Sequence, residues 1–136
     1  MTSPLPDLSG LTILVVDDNE DARYVLETLL KACGATVLSA RNAFAALGYL
    51  ETTRVSVILS DLSMPQMDGI ELIERIRKSP DHRETPAIAI SAFPESYRHA
   101  VGAGFNVFMR KPVDIDKLCA AVLELMKKDN GGSAAD

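Results

Sequence analysis

The chain has 136 residues, which is enough for a single domain with its own hydrophobic core. Hydrophobic residues make up 47% of the chain and charged residues 24%, a balance that excludes an intrinsically disordered or collagen-like protein. The net charge of −5 excludes a strongly basic nucleic-acid-binding surface and a polybasic membrane patch.

Short apolar runs alternate with helix-like segments along the whole chain. Residues 1–10, which contain two prolines, are expected to form a flexible lead-in to a domain over residues 11–128. Apolar and β-branched runs predict five strands, over 11–16, 36–40, 55–60, 87–91 and 107–110. Apolar residues at helical spacing predict helices over about 22–33, 42–52, 69–78, 94–102 and 113–128. The small, polar residues 129–136 are expected to form a disordered tail.

The N-terminus and the two cysteines allow a prediction of the cellular compartment. The N-terminus has neither the basic start nor the apolar run of a signal peptide. Cys33 and Cys119 stand among apolar residues, without a partner at the spacing of a zinc site or a redox motif. We therefore expect two buried free thiols in a cytoplasmic protein with no direct membrane or nucleic-acid partner.

The alternation of five strands and five helices predicts an α/β fold with a doubly wound parallel sheet covered by helices on both faces. In such sheets, ligands bind beyond the carboxyl ends of the strands. Polar residues stand at four of the five predicted strand ends, and they are Asp17 and Asp18, Asp61, Ser91, and Lys111. We therefore expect three carboxylates, a hydroxyl group and an ammonium group to meet at one edge of the sheet.

Such a group of side chains suits phosphoryl chemistry. Three neighbouring carboxylates repel one another and favour a bound cation, and oxygen ligands of this kind suit Mg²⁺. The lysine supplies a second positive charge, so the charge of a phosphoryl group between the two cations would be compensated. One carboxylate could then act as the nucleophile and form an acyl phosphate.

The same residues resemble the receiver domains of bacterial two-component response regulators over about residues 11–127. The matching segments are Val15 to Asn19, the D-x-x-M-P-x-M-D-G run from Asp61 to Gly69, Ser91-Ala92, and Lys111-Pro112. Each segment is a weak signal alone, but their order at successive strand ends is specific. The resemblance, closest in form to single-domain chemotaxis regulators, implies a flavodoxin-like sheet with strand order 2-1-3-4-5.

The resemblance also implies a metal site and its ligands. Asp61 would be the phosphoacceptor and a ligand of Mg²⁺. Asp18 would bind the ion directly, and Asp17 would bind it directly or hold a metal-bound water molecule. The backbone carbonyl group of Ser63 would be the remaining protein ligand, so the type of its side chain would not affect metal binding.

Further roles are implied for residues near the end of the chain. Lys111 would pair with Asp61 and then with the phosphoryl oxygens, and the Lys111–Pro112 peptide bond would be cis. The hydroxyl group of Ser91 would bind the phosphoryl group. Phe108 stands where many receiver domains have a switch tyrosine, so Ser91 and Phe108 form the implied switch pair, although Phe108 has no hydroxyl group.

The resemblance predicts a signalling module rather than an enzyme, with Mg²⁺-dependent self-phosphorylation and slow self-dephosphorylation as its only reactions. The donor would be a histidine kinase or a histidine phosphotransfer protein. The output would be a contact with a downstream protein target through the fourth helix, fifth strand and fifth helix. Because only a short segment follows Lys111, we expect no output domain after it, in a stand-alone receiver or in a receiver taken from a longer chain. Both a monomer and a phosphorylation-dependent dimer fit the sequence.

Other functions fit parts of the same pattern. The domain could be the receiver module of a hybrid histidine kinase, or a relay shuttle that passes its phosphoryl group to a phosphotransfer protein. A phosphatase with Asp61 as nucleophile is disfavoured, because haloacid-dehalogenase-type enzymes would have a second aspartate where this chain has Ser63. A nucleotide or flavin binder is disfavoured because no G-x-G-x-x-G run follows the first strand and no Walker A motif occurs.

Overall fold

The computed structural model describes residues 5–135, with side-chain surroundings through residue 127, and a five-stranded sheet lies at its centre. The strands are β1 (Thr12–Val16), β2 (Thr36–Ala40), β3 (Val57–Asp61), β4 (Ala87–Ser91) and β5 (Val107–Arg110). Their order across the sheet is β2-β1-β3-β4-β5, and every neighbouring pair is parallel. The predicted fold class and strand order are confirmed.

Five α-helices connect and cover the strands. They are α1 (Glu20–Ala32), α2 (Ala43–Thr52), α3 (Gly69–Lys78), α4 (Tyr97–Ala103) and α5 (Ile115–Ala135), and a 3₁₀ turn over Pro94–Ser96 precedes α4. The side chains of Asn19, Asn42 and Asp68 accept backbone N–H groups in the first turns of α1, α2 and α3. These caps determine where the helices begin, and so they also determine the lengths of the loops that precede them.

Apolar side chains pack in one layer on each face of the sheet. Along β1, Leu14 and Val16 face the layer that includes residues of α2 and α3, whereas Ile13 and Val15 face α1 and α5. All residues of β3 and β4 are buried, as expected for central strands of a parallel sheet. This packing on both faces fixes the register of the strands and therefore the positions of the residues at their carboxyl ends.

One arginine joins two loops at the amino ends of the strands. The guanidinium group of Arg77 donates hydrogen bonds to the carbonyl oxygen of Gly104 at 3.0 and 2.9 Å and to that of Thr85 at 2.7 Å. It also reaches the carbonyl oxygens of His82 and Arg83. Burial lowers the pKa of this guanidinium group, and the surrounding carbonyl oxygens stabilise its charge.

The residues before β1 pack more closely than the sequence predicted. Leu8 is fully buried among residues of the α1 and α5 layer, and its N–H group donates to the carbonyl oxygen of Cys33 at 2.7 Å. The prediction of a flexible lead-in over residues 1–10 is therefore wrong at Leu8, because the side chain of Leu8 packs in the core. Residues 1–4 of that predicted segment lie outside the described residues.

The last helix is longer than the sequence predicted. Its backbone remains helical beyond Lys128 to Ala135, where a disordered tail over residues 129–136 was expected. A small, polar composition does not by itself end a helix, and no proline follows Pro112. Residue 136 lies outside the described residues. Among residues 5–135, neither α5 nor another helix is long and apolar enough to cross a membrane.

The two cysteines are free and buried, as predicted. Burial raises the pKa of the Cys119 thiol to about 12, and the nearby Cys33 adds to this effect. Because the thiolate is the reactive form of cysteine, Cys119 is an inert core residue at neutral pH.

Candidate functional site

The predicted site residues lie together at the carboxyl edge of the sheet. Asp17 and Asp18 directly follow β1, Asp61 is the last residue of β3, Ser91 ends β4, and Lys111 follows β5. After β1 the chain forms β2 on one side of β1, and it then crosses to form β3 on the other side. In sheets of this kind, a crevice opens where the direction of winding changes, here between the ends of β1 and β3.

Three carboxylates form the centre of the site. Asp17, Asp18 and Asp61 each place one oxygen in a group whose members all lie within 4.8 Å of one another. Asp17 and Asp61 are buried, with 4% and 7% of their surface exposed, whereas Asp18 is exposed. Burial raises the pKa of Asp17, the hydrogen bond from Asn19 opposes this, and the charge of Asp61 raises the pKa further. The cluster therefore holds negative charge at a free-energy cost that a bound cation would remove.

The chemistry of these donors fits a hard divalent cation. All three are carboxylate oxygens, and the exposed Asp18 gives an ion and its water molecules access to the two buried groups. Ser63 is exposed, and its N–H group donates to Oδ1 of Asp61 at 3.2 Å. This bond places Ser63 beside the cluster, and the role of its carbonyl group as a metal ligand stays a prediction.

Lys111 places a positive charge next to the acidic cluster. Its Nζ atom lies 3.1 Å from Oδ2 of Asp61 and 3.9 Å from Oδ2 of Asp17. The Lys111–Pro112 peptide bond is cis. Asp61 therefore has the ammonium group of Lys111 on one oxygen and the N–H group of Ser63 on the other.

Ser91 is buried at the end of β4, with 2% of its surface exposed. Its Oγ atom accepts the N–H group of Phe93 at 3.0 Å, and its carbonyl oxygen accepts the N–H group of Lys111 at 2.9 Å. A hydroxyl group that accepts one hydrogen bond still has its proton to donate. Ser91 can thus donate to an anion in the crevice while it remains bonded to the loop that follows β4.

Phe108 lies on β5 and contacts helix α4. It is half-buried, and its ring centroid lies 5.7 Å from that of Tyr97 with an angle of 84° between the ring planes. This is an edge-to-face pair, the geometry that aromatic rings favour. Tyr97 could not be identified from the sequence, because one aromatic residue at the start of a short helix gives no periodic signal. The predicted switch role of Phe108 stays a prediction.

Two residues that hold Asp17 were also missed. The N–H group of Asn19 donates to Oδ1 of Asp17 at 2.9 Å. The guanidinium group of Arg23 donates to the backbone carbonyl oxygen of Asp17 at 2.7 Å. The capping pattern at the start of α1 pointed to Asn19, but the sequence has no signal for the contact of Arg23 with a backbone atom.

The loop between β3 and α3 is shaped by a tight turn and a glycine. The N–H group of Met67 donates to the carbonyl oxygen of Pro65 at 2.8 Å, and Gln66 between them has a positive φ of 70°. These features describe a γ-turn, a strained conformation for a residue other than glycine. A Cβ atom on Gly69 would overlap the carbonyl oxygen of Asp61, so the start of α3 packs directly on the backbone of the site.

Comparisons with known proteins agree with this geometry. Residues 13–123 match the family described as the response regulator receiver domain. A 14.6 kDa protein from the sodA1 3′ region of Leptolyngbya boryana is 44% identical over 109 residues, covering 79% of this chain and 83% of that protein. The Arabidopsis thaliana two-component response regulator ARR16 is 34% identical over 127 residues, covering 79% of this chain and 77% of that protein.

Among solved structures, one similar fold is the receiver domain of a sensor histidine kinase from Pseudomonas aeruginosa. It is 28% identical, with a TM-score of 0.80, and the match covers 86% of this chain and 98% of that domain. That crystal structure holds a magnesium ion coordinated in the active-site cleft.

Proposed function

The chain belongs to the response regulator receiver domain family, and we propose that it is a signalling domain that accepts a phosphoryl group on Asp61 with the help of Mg²⁺. The donor is a phosphohistidine on a histidine kinase or on a histidine phosphotransfer protein, in the cytoplasm. The observation that carries this proposal is the position of Asp61, which lies between the ammonium group of Lys111 at 3.1 Å and the carboxylates of Asp17 and Asp18.

The acidic cluster would hold the ion. The carboxylates of Asp17, Asp18 and Asp61 are the side-chain ligands in this proposal, and the carbonyl group of Ser63 is the backbone ligand. When bound, Mg²⁺ supplies positive charge that compensates the phosphoryl oxygens during transfer. Support comes from the oxygen-only donor set and from the partial exposure that leaves room for water ligands.

The transfer uses groups that already lie next to Asp61. A carboxylate oxygen of Asp61 bonds to phosphorus while the N–P bond of the donor breaks, and the electron pair of that bond stays on the histidine nitrogen. Lys111 stabilises the phosphoryl oxygens from its position beside Oδ2 of Asp61. Ser91 donates its hydroxyl proton to the same group, because its Oγ atom accepts only from Phe93 among the hydrogen bonds described.

The signal would leave the site through β4 and β5. Lys111 is bonded to the backbone of Ser91, so a movement of either residue towards a phosphoryl group shifts both strand ends. The loop from Phe93 leads from Ser91 into α4, where Tyr97 contacts Phe108. We propose that Ser91 and Phe108 form the switch, and that the face made by α4, β5 and α5 binds a downstream protein target or a second phosphorylated copy.

A relay role is the second candidate, since the similar fold described above is the receiver domain of a sensor histidine kinase. In that role the domain would pass its phosphoryl group on to a histidine phosphotransfer protein. A dedicated phosphatase is disfavoured because Ser63 offers no general acid and its N–H group is bonded to Asp61. Slow self-dephosphorylation is the only hydrolysis in this proposal.

The test is phosphorylation by a small donor. Incubation with acetyl phosphate and Mg²⁺ should add one phosphoryl group, detected by intact mass and removed by hydroxylamine, as expected for an acyl phosphate. Asp61→Asn should abolish the addition. Asp68→Asn is the matched control, because Asp68 is an exposed N-cap in the same loop and asparagine caps equally well. Equal labelling of the Asp61→Asn variant would contradict the assignment.

A further inference from the structure

We infer that Arg23 is a positioning residue for the metal centre, because its guanidinium group holds the backbone of Asp17 so that one carboxylate oxygen of Asp17 faces Asp61. The inference rests on the proposed binding of Mg²⁺ at the acidic cluster. It concerns a residue outside the set that touches the ion, and it acts only through Asp17.

Asp17 is held at three separate atoms. Its N–H group donates to the carbonyl oxygen of Ala40 at 3.1 Å, and its Oδ1 atom accepts from Asn19 at 2.9 Å. Its carbonyl oxygen accepts from Nη1 of Arg23 at 2.7 Å. The other carboxylate oxygen, Oδ2, is on the side of the site, 3.9 Å from Nζ of Lys111. These bonds leave one defined oxygen of Asp17 directed towards the cluster.

The side chain of Arg23 joins the first turn of α1 to the end of β1. Its backbone N–H group makes the first hydrogen bond of the helix, to the carbonyl oxygen of Asn19 at 3.0 Å, while its side chain reaches back to Asp17. The bond to Asp17 is charge-assisted and short. Because Asp17 is buried, its carbonyl group would be left without this partner in a variant, at a cost in free energy. The loop would then relax, and Oδ2 of Asp17 would lose its fixed direction.

Arg23 also has an opposing effect, since its positive charge repels a nearby cation. That repulsion is small because Arg23 is only half-buried, so solvent screens its charge. The positional effect should therefore dominate.

The two effects predict opposite changes in metal affinity, so one measurement separates them. Mg²⁺ affinity is measured by calorimetric titration and by the Mg²⁺-dependent rise in unfolding temperature, for the wild type and for Arg23→Met, Arg23→Lys and Arg41→Met. Arg23→Met should weaken Mg²⁺ binding about tenfold, the lower end of the usual effect of losing a residue that orients a metal ligand. Arg23→Lys keeps the charge and one donor, so its affinity for Mg²⁺ should lie between that of the wild type and that of Arg23→Met.

Arg41→Met is the matched control. Arg41 is exposed and lines the same groove between α1 and α2, so this variant removes an equal charge nearby and should leave the affinity unchanged. An Arg23→Met variant that binds Mg²⁺ as tightly as the wild type, or more tightly, overturns the inference. If circular dichroism reports an unfolded Arg23→Met variant, then Arg23→Lys decides, and wild-type affinity in that variant overturns the inference. A wild type that does not bind Mg²⁺ overturns the proposed function itself.

Discussion

Lys111 allows the binding of the metal to be separated from the response to the phosphoryl group. Replacement by alanine leaves the three carboxylates in place and removes a positive charge 3.1 Å from Asp61. We expect Lys111→Ala to bind Mg²⁺ as tightly as the wild type or more tightly, because one charge that repels the ion is gone. The variant should lose the conformational response to beryllofluoride, a stable phosphoryl mimic, as followed by NMR chemical shifts.

Lys117→Ala serves as the control, since Lys117 is an exposed residue of α5. It should keep both the affinity and the response. If Lys111→Ala gave the full wild-type response to beryllofluoride, Lys111 would be an ordinary surface lysine.

The raised pKa of Asp17 predicts how the stability of the metal-free protein depends on pH. Burial raises the pKa of this carboxyl group in the folded state above its value in the unfolded chain. The unfolded state therefore releases its proton first, and the contribution of Asp17 to stability falls as the pH rises from the ordinary value of 3.8 to the raised folded value. At neutral pH and without Mg²⁺, Asp17→Asn should unfold at a higher temperature than the wild type.

The gain in unfolding temperature of Asp17→Asn should disappear at pH values below the ordinary pKa of an aspartate, where Asp17 is neutral in both the folded and the unfolded state. Added Mg²⁺ should raise the unfolding temperature of the wild type more than that of the variant. Asp21→Asn, at an exposed position in the first turn of α1, should not reproduce this pattern. A variant less stable than the wild type at neutral pH would refute the assigned cost of burying this charge.

At the scale of the elements, two glycines provide a matched pair. A Cβ atom on Gly69 would overlap the backbone of Asp61 and lie 2.9 Å from Cα of Leu62, so Gly69→Ala must displace α3 or β3. We expect a loss of about 1–3 kcal/mol in the free energy of unfolding, as for other overpacked sites, together with slower phosphorylation of Asp61.

Gly48 in α2 is the opposite case, because a Cβ atom there meets nothing within 4 Å. Gly48→Ala should stabilise the protein by roughly 0.5–1 kcal/mol, the usual preference for alanine within a helix. Both values follow from urea unfolding curves. Equal effects of the two substitutions would show that the contact of Gly69 with β3 is unimportant.

The contact between α4 and β5 tests the switch role of Phe108. The edge-to-face pair of Tyr97 and Phe108 should give a coupling free energy of about 0.5–1.5 kcal/mol in a double-mutant cycle with leucine at each position. If Phe108 changes its rotamer on phosphorylation, the coupling should fall when beryllofluoride and Mg²⁺ are added. A coupling that stays constant would identify Phe108 as a packing residue.

At the scale of the whole molecule, Leu8 tests where the folded unit begins. Leu8→Ala should lower the free energy of unfolding by about 2–4 kcal/mol, because it leaves a cavity in the α1 and α5 layer. Leu5→Ala should change stability little, since 65% of the surface of Leu5 is exposed. Similar midpoints of urea unfolding for both variants would support the start of the folded domain at residue 11, as the sequence predicts.

The sequence predicted the architecture because the architecture depends on apolar periodicity. The central strands β3 and β4 are buried on both faces, so their sequences had to be nearly continuous in apolar and small residues. The clustering of Asp17, Asp61 and Lys111 could be predicted because residues at the carboxyl ends of parallel strands meet at one edge.

The contacts that hold the site were less accessible to sequence reasoning. Arg23 bonds to a backbone carbonyl group, and such a contact leaves no pattern in the residue types. Leu8 lies in a proline-containing segment whose residues follow neither helical nor strand periodicity, and its burial depends on space left by distant helices. Tyr97 meets Phe108 only because α4 packs against β5 in the folded protein. These are tertiary contacts, and they depend on geometry that is fixed only after folding.

The guanidinium group of Arg77 has a consequence for the distribution of conformational entropy. Through its bonds to Gly104 and Thr85, one side chain orders the loops before β4 and β5. The opposite end of α4 begins with the 3₁₀ turn over Pro94–Ser96, which has no side-chain cap. The end of α4 beside Gly104 is therefore held by a side chain, whereas no side-chain cap holds the end that follows Ser91. In the proposed function, a partner that binds α4 would pay its entropic cost mainly at this uncapped end, which is the end nearer the phosphorylation site.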